Sequence, residues 1–164
     1  LAAWQRGDID GGFVWQPTLS KMTDADGTVL ITAKQLAEKG IITADLGIVS
    51  TEFAQQYPDF LKGYVGALDE AVQLYRNDPE AAAEAISEEI GLTPEESLAV
   101  MNELVWVSAE EQAGADFLGT PEAPGAMSQV LKDSAEFMVK QEAIPSAPDI
   151  DVYNKALFNA AVTQ

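Results

Sequence analysis

From Ser50 onward the chain shows the hydrophobic pattern of amphipathic helices. Apolar residues recur at steps of three and four, which places them on one face of a helix. Capping residues and prolines at first helical positions mark the starts of the helices, and Gly91 marks an end. The pattern predicts helices that start at Ser50, Pro58, Asp78, Thr93, Ser108 and near Met127, and a last one with a stripe at Tyr153, Ala156, Leu157 and Ala160.

The longest of these predicted helices starts at Pro58. Its apolar positions are three or four residues apart, and we expect the whole face that they form to be buried. The residues of this face are Leu61, Tyr64, Val65, Leu68, Val72 and Tyr75.

The first fifty residues show a different pattern, with three short runs rich in β-branched and aromatic residues. Residues 9–15, 28–32 and 41–49 each predict a strand, and residues 33–39 between them predict a short helix. Strands separated by helices favour a parallel sheet that is covered on both faces, and three strands alone would leave two open edges. The predicted fold class is therefore α/β, mostly helical after residue 50, with partner strands outside these three runs.

The composition excludes several classes of function. The chain has no cysteine and no histidine, so thiol chemistry and the commonest general base and metal ligand are missing. Nine basic and 27 acidic residues give a formal charge of −18, which disfavours binding to nucleic acid or to an anionic membrane surface. No apolar run reaches the roughly 20 residues that a membrane span needs. We expect no enzymatic activity, no cofactor, no metal and no direct membrane insertion.

Several acidic residues have an ordinary structural interpretation. Glutamates such as Glu110 and Glu111 lie in helical patterns, where a solvated outer face is expected. Asp8 and Asp10 are two residues apart in a glycine-rich segment, which favours side-chain bonds to turn amides over a catalytic pair of carboxylates. Asp45 differs from these because it is the only charge in the apolar run 41–49, where a buried carboxylate would need a partner.

Several motifs resemble those of a known protein family. The segment AAWQRGDIDGGFVWQP resembles a segment of periplasmic taurine-binding proteins, the solute-binding components of taurine-type ABC importers. Further matching motifs follow in the order and at the spacing of that family: DGTVL at 26–30, G-x-x-T-x-D at 40–45, F-A-x-x-x-P-x-x at 53–60, and the closing segments 108–112 and 133–145. The resemblance covers nearly all of this chain but only the C-terminal half of such a protein.

This resemblance implies a fold and a function. The fold is a two-lobe periplasmic binding protein of type II, with the ligand between two α/β lobes. Residues 1–42 would be the end of the second lobe, and residues 43–164 would be the crossing strand and the helical completion of the first lobe. The implied function is to bind taurine or a related small organosulfonate in the periplasm and to deliver it to the permease of an ABC transporter.

The resemblance also implies three ligand-binding residues. Asp45 matches an aspartate that faces the cleft, where its carboxylate would pair with the ammonium group of the ligand. Trp15 matches an indole at the cleft wall, which would cover the methylenes and attract the ammonium by a cation–π contact of about 0.5–2 kcal/mol. Gln16 would add a polar contact. The groups that bind the sulfonate come from the first half of the family's proteins.

The pattern alone leaves other roles open for these residues. Asp45 also suits the end of a turn or a helix cap, and Trp15 also suits a core. Leu46 and Gly47 replace the bulky residues that the family tends to carry after the aspartate, so a longer amino-sulfonate or another small zwitterion is also compatible.

The function, too, has alternatives. Within the same class, the ligand could be another alkanesulfonate, nitrate or a thiamine precursor. In a different class, the chain could be a helical interaction domain with no small ligand. An enzyme of the same superfamily is disfavoured because histidine and cysteine are missing. Because only half of a cleft would be present, we predict weak or absent ligand binding by this chain alone.

Overall fold

The structure, a computed structural model, describes residues 1–162 and is built from helices. The helices are α1 (Ala2–Arg6), α2 (Thr18–Thr23), α3 (Ala33–Ala37), α4 (Thr51–Gln56), α5 (Pro58–Asn77), α6 (Pro79–Ile90), α7 (Pro94–Met101), α8 (Ala109–Gln112), α9 (Met127–Lys140), α10 (Ile150–Ala156) and a short 3-10 helix (Asn159–Ala161). None of the helices in this range is both long enough and apolar enough to cross a membrane. The predicted helical character after residue 50 is confirmed.

The helix starts that the capping residues predict are confirmed. A side-chain oxygen accepts a hydrogen bond from the first turn of the helix at Ser50, Asp78, Thr93 and Ser108, and Gly91 ends α6 with a φ of 68°. These contacts satisfy backbone groups that have no partner within the helix itself. Local sequence therefore decides where α4, α6, α7 and α8 begin.

The three predicted strands are wrong. Residues 9–15, 28–32 and 41–49 have no regular secondary structure, and the described chain has an isolated antiparallel bridge between Gly119 and Pro124 but no strand. A strand persists only where a neighbour satisfies its backbone N–H and C=O groups, and these segments have no such neighbour among residues 1–162. The α/β class is therefore not confirmed. The division at residue 42 stays a prediction, and residues 163 and 164 of its second part lie outside the described range.

The core lies where α5, α6 and α7 meet. Its buried centre consists of Ala82 and Ala83 from α6 and Met101 from α7. The partly buried residues packed around it are Tyr75, Ile86, Leu98 and Trp106. The two alanines allow α6 to approach its neighbours closely, since they add little side-chain volume between the helices.

The apolar face of α5 is only partly buried. Leu61 and Val72 are buried, as predicted, but Tyr64 and Leu68 are about half exposed. The helices that pack on α5 include α6 and α8, and they leave this side of α5 open to solvent. The expectation that the whole face is buried is therefore wrong for Tyr64 and Leu68.

Candidate ligand-binding site

Gln16 is held by contacts to two other parts of the chain. Its Oε1 accepts hydrogen bonds from the Ser20 backbone N–H at 3.2 Å and from the Ser20 hydroxyl at 2.7 Å. Its Nε2 donates to Glu103 Oε1 at 2.8 Å, which ties the start of α2 to the segment after α7. Both polar atoms of this amide are therefore occupied by protein partners.

Trp15 precedes this junction and points into solvent. Its carbonyl accepts a hydrogen bond from the Leu19 N–H at 3.0 Å, so its backbone belongs to the entry of α2. Trp15 is 76% exposed, which makes a core role incompatible with this structure. An exposed indole offers its whole face to a ligand or a partner surface.

Asp45 lies in the middle of the irregular segment 41–49. It is exposed, and no hydrogen bond or ion pair of its carboxylate occurs within the described part of the chain. Because the carboxylate is in water, it does not carry the desolvation cost that a strand position would have imposed. It is available to pair with a cation.

No hydrogen bond or ring contact connects the side chains of Trp15, Gln16 and Asp45 within residues 1–162. A surface cavity of about 410 Å³ lies elsewhere, at the end of α9, and is lined by Val139, Glu142, Ala143, Ile144 and Pro145. The assignment of Trp15, Gln16 and Asp45 to a ligand site therefore stays a prediction.

Acidic residues do not assemble into a metal centre either. No group of three or more aspartate, glutamate, histidine or cysteine side chains in the described range is arranged to hold a metal ion. Carboxylates spread over separate helix surfaces repel one another and remain solvated.

A polar cluster between α5 and α8 was not expected from the sequence. Arg76 Nη2 donates to Glu111 Oε2 at 2.6 Å and to the Trp106 carbonyl at 2.8 Å, and Asp69 Oδ1 accepts from the Ala109 N–H at 2.7 Å. The hydrogen bond from Arg76, followed by that from the Ser108 N–H, lowers the pKa of Glu111 from its ordinary value of 4.5 to about 2. The Glu111 carboxylate therefore forms an ion pair with Arg76 and does not simply face solvent. The capping box Ser108–Glu111 was the sequence signal for its local role.

Comparison with curated proteins finds a similar protein whose name describes it as a periplasmic binding protein. The chain is 30% identical over 165 residues to the taurine-binding periplasmic protein of Escherichia coli (strain K12), a match that covers 96% of this chain and 49% of the relative. The predicted resemblance is confirmed. The chain spans about half the length of that relative, which agrees with the expectation that the resemblance covers only one half of such a protein. No family model and no solved structure matches the chain.

Proposed function

We propose that the chain forms part of a solute-binding protein that holds taurine or a related small organosulfonate for an ABC importer. The observation that carries this proposal is the 30% identity to the E. coli taurine-binding periplasmic protein along nearly the whole chain. A receptor of this kind encloses its ligand by hinge closure and releases it unchanged to a membrane permease. Because the chain spans about half of its relative, the ligand, the permease and the periplasmic location are all parts of the proposal.

In the proposed complex each part of the zwitterion meets a different group. The carboxylate of Asp45 pairs with the ammonium, and the Trp15 indole covers the methylenes. The exposure of both side chains supports these roles, as does the lack of a polar partner for either one among residues 1–162. Gln16 Oε1 already accepts two bonds from Ser20, but Nε2 uses one N–H for Glu103 and keeps a second N–H that could donate to a ligand.

The charge of the chain bears on the sulfonate end of the ligand. A formal charge of −18 attracts an ammonium group and repels a sulfonate. A sulfonate is bound instead by backbone N–H groups at helix N-termini and by hydroxyls. We assign these donors to the part of the relative that this chain does not match, so the chain by itself supplies the ammonium side of the cleft.

Calorimetry on two proteins tests this function. The first is the 164-residue chain alone, and the second is a single polypeptide in which the unmatched half of the E. coli relative is fused ahead of Leu1. Taurine should bind the fusion and give no measurable heat with the chain alone. Micromolar binding of taurine by the chain alone would contradict the assignment of only the ammonium side of the cleft to this chain. A folded fusion that binds no organosulfonate would overturn the proposed function.

Substitution of Asp45 in the fusion then tests the residue assignment. Asp45→Ala should abolish binding of an amine-bearing ligand and spare an anion without an amine, such as nitrate. Asp10→Ala is the matched control, because Asp10 is also exposed and has no bonded partner in the described chain. Equal losses in the two variants would reject Asp45 as the ammonium partner while leaving the function itself intact.

A helical interaction domain without a small ligand is the second candidate. The observation that favours it is the absence of a strand in the described residues, together with the 76% exposure of Trp15. This candidate predicts that the fusion binds neither sulfonates nor nitrate, although it folds.

A further inference from the structure

One side-chain hydrogen bond joins the first part of the chain to the helices that follow. Gln16 Nε2 donates to Glu103 Oε1 at 2.8 Å, across 87 positions of sequence. Within residues 1–162, no other hydrogen bond and no ion pair connects residues 1–42 to residues 43–162. This bond is therefore the polar link between the two parts into which the resemblance divides the chain.

At its first end, the bond acts on the turn that carries Trp15. Ser20 donates twice to Gln16 Oε1, and the Leu19 N–H donates to the Trp15 carbonyl at 3.0 Å. Because the Ser20 donors occupy Oε1, Nε2 is the atom of this amide that meets an acceptor. These bonds attach Trp15 and Gln16 to the first turn of α2, so that what holds the Gln16 amide also holds the backbone of Trp15.

At its second end, the bond is anchored to the core of the helical part. Glu103 follows Met101, which is 6% exposed and whose carbonyl accepts the Trp106 Nε1–H at 2.9 Å. Asn102, between them in the chain, accepts a hydrogen bond from the Tyr75 hydroxyl at 2.8 Å. The carboxylate of Glu103 therefore extends from a fixed point of the helical part.

The carboxylate of Glu103 has no capping task that would explain it. Glu103 lies after the end of α7 and belongs to no capping box, unlike Glu96 and Glu111. An ionised carboxylate is a stronger acceptor for an amide N–H than a neutral oxygen. At the surface such a bond adds only modestly to the stability of the fold, so its main consequence is the position of the segment that it holds.

The proposed ligand contacts lie on opposite sides of this link. Trp15 belongs to residues 1–42 and Asp45 to residues 43–164 in the predicted division of the chain. A small zwitterion meets both side chains only if their separation is fixed, since a binding constellation has to be held within about 0.5 Å of its productive geometry.

We propose that Glu103 is a positioning residue of the ligand site: through Gln16 it holds Trp15 in place relative to the part of the chain that carries Asp45. The ligand rests on the proposed function. The hydrogen bond itself is present without a ligand, so the positioning is measured separately from taurine binding.

Distances between two spin labels test the positioning without a ligand. The chain has no cysteine, so Lys21→Cys on α2 and Glu84→Cys on α6 provide two exposed attachment sites. Double electron–electron resonance should give a narrow distribution of distances in the labelled chain, and Glu103→Ala should broaden it. Glu103→Gln should keep it narrow, because the amide oxygen replaces the acceptor while both variants remove the same charge.

Taurine binding by the fusion tests the consequence for the site. Glu103→Ala should raise the Kd by about 3–10-fold, which corresponds to the loss of one hydrogen bond, and Glu103→Gln should restore most of the affinity. In a Gln16→Ala background, Glu103→Ala should have no further effect, since the two residues share one interaction. Glu89→Ala on α6 is the matched control: it removes an exposed carboxylate without a bonded partner in the described chain and should leave the Kd unchanged.

Three results would overturn the proposal. The first is the same distribution of distances in Glu103→Ala and in the chain with its original Glu103. The second is an equal loss of affinity in Glu103→Ala and Glu103→Gln, because the charge and not the hydrogen bond would then be responsible. The third is that the losses from Gln16→Ala and Glu103→Ala add. The urea midpoint of Glu103→Ala should stay close to that of the original chain, since Glu103 is exposed.

The two measurements separate this proposal from the proposed function. A broadened distribution in Glu103→Ala, together with a fusion that binds no organosulfonate, would uphold the positioning of Trp15 by Glu103 and reject the function. Taurine binding that Glu103→Ala leaves unchanged would uphold the function and reject the positioning role.

Discussion

Arg76 on α5 and Glu111 in α8 form an ion pair with an Nη2–Oε2 distance of 2.6 Å, although 35 residues separate them in the chain. The same carboxylate oxygen accepts the Ser108 N–H at 2.7 Å. One oxygen atom therefore serves both the N-terminal cap of α8 and the contact between two helices. The pair fixes the segment that leads into α8 against α5.

This ion pair predicts a loss of stability in acid. Because the pKa of Glu111 is lowered to about 2 in the folded chain from its ordinary 4.5, the ionised carboxylate favours the folded state. Its contribution is complete above about pH 4.5 and is lost progressively as the pH falls from there through about 2. Urea denaturation followed by circular dichroism at a series of pH values measures this loss.

The variant Glu111→Gln should remove that part of the pH dependence and lower the urea midpoint at pH 7. Glu110→Gln changes the charge by the same amount at the neighbouring exposed position, which has no bonded partner in the described chain, and should leave both unchanged. Identical acid profiles for the original chain and Glu111→Gln would contradict the role of the pair.

The capping box of α7 predicts the effect of a single hydroxyl. Thr93 Oγ1 accepts the Glu96 N–H at 3.2 Å, and Glu96 Oε2 accepts the Thr93 N–H at 2.8 Å. Thr93→Ala should lower the free energy of unfolding by about 0.5–2 kcal/mol, because the first turn of α7 loses an acceptor. Thr28→Ala, at an exposed position without a helix to cap, should change it by less than about 0.5 kcal/mol in the same denaturation assay.

The core between α6 and α7 predicts a larger effect for one methionine. Met101 is 6% exposed and packs on the alanines of α6, so Met101→Ala should cost about 2–5 kcal/mol through lost burial and a residual cavity. Met138→Ala on α9 removes the same atoms from a position that is 44% exposed, and its cost should be much smaller. Similar shifts of the thermal midpoint in both variants would argue against this location of the core.

The different exposure of Trp15 and Trp106 predicts that acrylamide quenches their fluorescence to different extents. Trp15 is exposed, whereas Trp106 is partly buried and donates from its Nε1 to the Met101 carbonyl at 2.9 Å. Trp15→Phe should therefore remove the emission that acrylamide quenches most readily, and Trp106→Phe should remove a protected component. If taurine binds the fusion through Trp15, quenching of that emission should fall when taurine is added. Quenching of Trp15 that is independent of bound taurine would exclude it from the site.

The candidate site shows what could be predicted from the sequence and what could not. The resemblance assigned Trp15, Gln16 and Asp45 to a ligand site from motifs alone, and this assignment stays a prediction. The bond between Gln16 and Glu103 was not identifiable in this way, since the two residues are 87 positions apart and neither belongs to a local motif that requires the other. Contacts of this kind depend on how helices pack, and no short stretch of sequence encodes them.

The sequence by itself determined where the helices begin, because a cap such as Ser50 or Thr93 acts on backbone groups only three residues away. It also determined the charge of the surface and the absence of thiol and imidazole chemistry. Only the tertiary structure decided which part of the apolar face of α5 is buried, leaving Tyr64 exposed beside buried Leu61. It also decided that the apolar runs of the first fifty residues are not strands, because strand hydrogen bonds come from a distant partner segment and not from the strand's own residues.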